Sequence, residues 1–153
     1  MAENLAELLA LAERVEAAAG PDRELDAAVA VAISPEPTAR VIWWKGERRF
    51  LNAGPGRNHM AGALGKGTQL GWIFQLFRPT HSLDAAMALV PEGNWPEGSL
   101  GTHKDQRSSI EIHAPDAFDP IGTGWAATPA LALTAAALRA RAATLTNDGG
   151  DNG

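Results

Sequence analysis

The residue types best suited to hold a ligand are Arg57, His59 and Lys66, which fall together between Gly54 and Thr68. Glycines at 54, 56, 62, 65, 67 and 71 leave backbone amides accessible. Amides and cations aimed at the same oxygen atoms cradle an anion. Gly65-Lys66-Gly67-Thr68 does not complete the phosphate-loop pattern, however: Met60 stands where the first glycine belongs, and Gly67 separates the lysine from the hydroxyl. A plain flexible connection explains the same composition.

Planar ligands would need an indole, since the chain has five tryptophans and no tyrosine. Trp43 and Trp72, on either side of the glycine-rich stretch, are the two candidates. Trp43 and Trp44 are adjacent, so on a strand they point to opposite faces. An exposed one, near Arg48 and Arg49, could stack on a base or another planar group, although core packing is the commoner fate of a tryptophan.

Catalytic signatures are sparse. The histidines His59, His81, His103 and His113 show no i,i+4 pair and no His-x-His. A metal would therefore need ligands converging from four separate places, and no metal or cofactor is expected. Cysteine is absent, which removes disulfides, thiolate metal sites and cysteine nucleophiles together. Ser99 lies in no nucleophile elbow. Alternation in 108–113 puts Glu111 and His113 on one strand face, a carboxylate beside an imidazole, which suits either acid–base work or ordinary polar surface.

The elements that must position these groups are marked by composition. Residues 3–19 carry Leu5, Leu8, Leu9, Ala12 and Val15 at helical spacing. Gly20-Pro21 ends that helix, with Gly20 suited to a left-handed cap. Asp22 caps a second one bearing Leu25, Ala28, Val29 and Ala32. Arg40–Lys45 and Arg48–Leu51 read as strands joined at Gly46-Glu47, and 52–71 reads as a long loop without a stable element. Leu70–Phe77 is an apolar run of strand length. Ser82 caps a short helix over 83–90 with Leu83, Ala86, Met87 and Val90 inward. Pro96 and Gly98 relegate 94–101 to an edge, while Ile110 and Ile112 face the core. Thr128 and Pro129 open the last helix, with Arg139 and Arg141 near its negative end.

Helices around strands without a βαβ rhythm predict an α+β fold, an antiparallel or mixed sheet covered by helices in three layers. One domain over 1–146 is expected, with the Gly-rich loop at 52–71 and a disordered tail over 147–153. The net charge of −5 argues against general nucleic-acid binding. No apolar run approaches membrane-spanning length. The acidic start lacks the basic opening of a secretory signal, so a cytoplasmic protein is expected.

Three blocks, Leu8 to Ala32, Ser82 to Gly93 and Ala126 to Ala142, resemble in their order the small proteins of the phage ABA-sandwich domain family. That resemblance implies an αβα sandwich encoded by a phage and acting in a bacterial host cell; the family brings no established activity. It does not extend to residues 34–77. The expected function is a non-enzymatic accessory domain that binds a partner or small ligand, with Arg57, His59, Lys66, Trp43 and Trp72 as candidate ligand-binding residues; a narrower version sequesters a nucleotide-type host immune signal in a pocket at an oligomer interface. Two alternatives stay open: an interaction module for a host or virion protein, and a hydrolase or transferase using Glu111 and the histidines.

Overall fold

The computed structural model describes residues 5–33, 40–44, 47–52, 59–60, 78–99 and 106–148. The α+β class and the layering of helices on an antiparallel sheet match the expectation. In chain order the elements are α1 (Leu5–Ala17), α2 (Arg23–Ile33), β1 (Arg40–Trp44), β2 (Glu47–Asn52), β3 (His59–Met60), α3 (Leu83–Met87), β4 (Trp95–Ser99), β5 (Ser108–His113), β6 (Gly122–Ala126) and α4 (Pro129–Asp148). They form two antiparallel three-stranded sheets, β1-β2-β3 and β4-β5-β6.

Helix α4 is the axis of the core. Thr128 accepts the Leu131 N–H at 3.2 Å and Pro129 is the first helical residue, so the start lies where its cap chemistry places it. Every residue from Ala130 to Leu138 is buried, the mark of a helix enclosed on all sides. One side meets β5 and β6, and others meet α1 and α3. Contact with β6 is backbone to backbone: a methyl group on Gly124 would overlap the Ala132 carbonyl, and one on Gly122 the Ala136 carbonyl. Ala132, Ala136 and Ala140, one helical turn apart, are the small residues that permit this approach.

Several expectations need correction. In α1, Leu11 joins Leu8, Ala12 and Val15 in the core, whereas Leu5 and Leu9 stay exposed along a groove of about 400 Å³ shared with Ile121, Ala142 and Thr146. Gly20 takes no left-handed cap; α1 closes earlier, with the Ala18 N–H tightened onto the Val15 carbonyl at 3.2 Å. In α2 the inner face holds Leu25, Val29 and a buried carboxylate, Asp26, while Ala28 and Ala32 are half-buried. In α3, Leu83 and Met87 are exposed and Leu89 is buried with Ala86. The cause is local: the Leu89 N–H bonds to the Ala86 carbonyl, three residues back, so the turn tightens and stacks residue 89 over 86.

Helix α4 runs through Asn147 and Asp148, beyond the expected end. Arg139 and Arg141 are therefore not in its last turn. Arg139 pairs with Glu16 and donates to the Thr123 carbonyl, and Arg141 donates to the Leu89 carbonyl at 2.7 Å. Within 52–71, His59 and Met60 form β3 against β2, so that stretch does contain a paired element. The apolar run 70–77 and the tail from 149 lie outside the described residues. No helix among the described residues is long and apolar enough to cross a membrane.

A polar lock ties α2 to the chain entering α3. Asp26 Oδ1 accepts the Thr80 N–H at 2.9 Å and its hydroxyl at 2.8 Å, while Oδ2 accepts from Arg23 at 2.9 Å. The Asp22 N–H donates to Thr80 Oγ1, and the Asp22 carboxylate caps α2 at the Glu24 and Leu25 amides, as its position predicts. Thr134 on α4 donates to the Pro79 carbonyl. Each buried polar group in this lock thus has a partner.

Candidate functional site

The face of β4-β5-β6 turned away from α4 carries the most concentrated chemistry among the described residues. Alternation creates it: Ser108, Ile110 and Ile112 go inward on β5, and Gly122, Gly124 and Ala126 on β6. Their neighbours Glu111, His113, Thr123 and Trp125 are left on the other side. On β4, Pro96 and Gly98 stand across from Ile112 and Ile110, so Trp95 and Glu97 fall on the outer face, opposite His113 and Glu111. Thr123 lies across from Glu111, and Trp125 across from Ser109.

The side chains interlock. The Trp95 ring stacks on His113 with centroids 6.1 Å apart and planes inclined by 23°. Trp95 Nε1 donates to Glu97 Oε1 at 3.2 Å. His113 Nε2 lies 3.4 Å from Glu111 Oε2 and 3.8 Å from Glu97 Oε2. It is shielded from solvent yet makes no hydrogen bond, because the Glu97 oxygen is too far and the Glu111 oxygen is not aligned on it. Both carboxylates remain open to solvent, and Trp95 and Trp125 are exposed at 43% and 39%. At one corner the Arg107 guanidinium donates to the Trp125 and Glu16 carbonyls.

Two carboxylates directly opposite across an antiparallel pair repel one another. The Trp95 indole N–H, donated to Glu97, relieves part of that repulsion. What remains is a negative, aromatic-flanked surface that attracts cations and disfavours phosphate. An imidazole beside a carboxylate can move protons. Here its Nε2 contacts no hydroxyl among the described residues, so no activated nucleophile accompanies it. Nor do any three acidic or imidazole groups among the described residues form an arrangement able to hold a metal ion.

The sequence-derived candidates fall elsewhere. Arg57, Lys66 and Trp72 lie outside the described residues, as does His103. Trp43 is placed on β1 across from Arg48, and His59 on β3 across from Asn52. Arg48 and Asn52 are four residues apart on β2, so Trp43 and His59 share a sheet but stand about 13 Å apart along it. His81 is exposed. Glu111 and His113 do share a face, as their alternation predicts. Trp95, Glu97 and Trp125 are the members that sequence reasoning missed. The signal that could have found them is register: β4 set against β5 puts Trp95 over His113 and Glu97 over Glu111. No protein-family model, curated protein or solved structure matches this chain.

Proposed function

We propose that this chain is a non-enzymatic binding domain and that the outer face of β4-β5-β6 is its interaction surface. One observation carries the reading: Trp95, Glu97, Glu111, His113 and Trp125 are gathered on one sheet face that no helix covers among the described residues, with both indoles substantially exposed. Tryptophan is among the residues most enriched in binding hot spots. Site-specific incorporation of a photo-crosslinking residue at Thr123, on the face, and at Glu92, exposed off it, tests the reading in bacterial cells. A discrete adduct from position 123 and none from position 92 supports it. Equal adducts, or none from position 123, would sink it.

The likeness of three blocks to phage sandwich proteins supports a phage-encoded accessory role in the bacterial cytoplasm. Capture of a nucleotide-type immune signal, with an oligomer forming the pocket, is the second reading. It is favoured by the amides and cations of 54–68 and by β3, which brings His59 back beside β2. The negative outer face cannot serve that ligand, so the two readings separate by location. Protein incubated with cyclic and linear nucleotide signals, washed and then denatured should release them intact; no release from the native chain would remove this second reading.

A further inference from the structure

We infer that the outer face of β4-β5-β6 takes an arginine-bearing basic segment of a protein partner, with a guanidinium seated by Glu97 and Glu111 and flanked by tryptophan. The inference rests on the proposed use of this face and names what it would bind. Charge complementarity selects the occupant. Glu97 and Glu111 stand directly opposite each other with side chains exposed at 67% and 50%, and the nearby imidazole Nε2 hydrogen-bonds neither. A cation placed between them removes a repulsion already present in the free protein, so binding gains on both counts.

Shape narrows the cation to a guanidinium. Its planar fork matches a carboxylate with two parallel hydrogen bonds, and its faces stack on indole, which a lysine ammonium does less well. The structure already displays that mode in miniature: the flat His113 ring stacks on Trp95 while its Nε2 edge faces both carboxylates. Trp125 stands two strands away and four residues along β5 from Trp95, about 10 Å across and about 13 Å along. Thr123, next to Glu111, keeps the centre of this footprint low. An extended peptide laid over the face can therefore place one arginine at the carboxylates and neighbouring residues against Trp125. Arg107 is held by two backbone carbonyls at the corner beside Trp125, one row away from the carboxylates.

The test is an NMR titration of the full chain, reading the Trp95 and Trp125 indole N–H signals, with hexa-arginine, hexalysine, hexaglutamate and hexaserine peptides. Saturable shifts with hexa-arginine are expected, several-fold weaker with hexalysine and absent with the other two. The Glu97→Gln/Glu111→Gln variant should lose at least about tenfold in hexa-arginine affinity while its melting temperature stays level or rises, because a like-charge pair has been relieved. Equal response to hexalysine overturns the guanidinium assignment. A response to hexaserine or hexaglutamate, or an unchanged affinity in the double variant, overturns the charge argument yet leaves the face as an interaction surface. Silence to all four peptides with a Thr123 adduct in cells overturns the inference alone; silence with no adduct overturns both.

Discussion

Gly124→Ala isolates the contact on which the layering depends. The added methyl would overlap the Ala132 carbonyl oxygen and lie 2.8 Å from the Ala136 nitrogen and 3.0 Å from the Ala132 carbonyl carbon. All three are backbone atoms of a buried helix, so no side chain can swing aside, and strand or helix must move by a substantial part of an ångström. Overpacking a core costs about 1–3 kcal/mol, and a rigid obstacle places this change at the upper end. Lost chain flexibility in the unfolded state returns about 0.4–1 kcal/mol, leaving a net loss of about 2 kcal/mol. For a chain of this length that lowers the melting temperature by roughly 4–8 °C. Circular dichroism melts with matched urea titrations measure it. Ala132→Gly should not rescue the variant, because the obstructing atom is a carbonyl. Gly20→Ala is the control: its position is open and its φ is not positive, so it should be neutral or slightly stabilising. A Gly124→Ala melt within about 1 °C of the parent would refute the close approach.

Other outcomes follow from the same contacts. Thr80→Val leaves buried Asp26 short of one donor and the Asp22 N–H without its acceptor, and should cost about 1–3 kcal/mol in urea unfolding. Leu138→Ala opens a cavity at the buried stretch of α4 and should cost about 2–5 kcal/mol. Arg57→Ala/Lys66→Ala should abolish any nucleotide retention while leaving hexa-arginine binding unchanged; loss of both by calorimetry would show that the two sites had been wrongly separated. Raising salt from roughly 50 to 500 mM should weaken peptide binding several-fold, since exposed charges are screened within a few ångströms at the higher value.

The parts of the fold legible in the sequence are those set by neighbours along the chain. Asp22, Ser82 and Thr128 each accept an amide three residues ahead, as cap chemistry requires. Ile110 and Ile112 face inward as their alternation predicts. What escaped the sequence depends on partners far along it or on a change of phase. Asp26 is buried because Thr80, 54 residues away, satisfies it. Leu89 replaces Leu83 and Met87 because one turn tightens after α3. Arg139 and Arg141 leave the helix end because α4 continues, with Thr144 and Thr146 hydroxyls bonding back to the carbonyls of Arg141 and Ala143. The candidate site was half visible, through Glu111 and His113. Its other half required the pairing register of an edge strand whose Pro96 and Gly98 hide the pattern.

Hydroxyl-radical footprinting of the intact chain, free and in bacterial extract, tests the outer face most directly, with exposed Phe118 as the reference. Oxidation of Trp95 and Trp125 should fall at least about threefold in the extract while Phe118 is unchanged. Equal oxidation of both tryptophans in the two conditions, or protection confined to Phe118, would contradict the account.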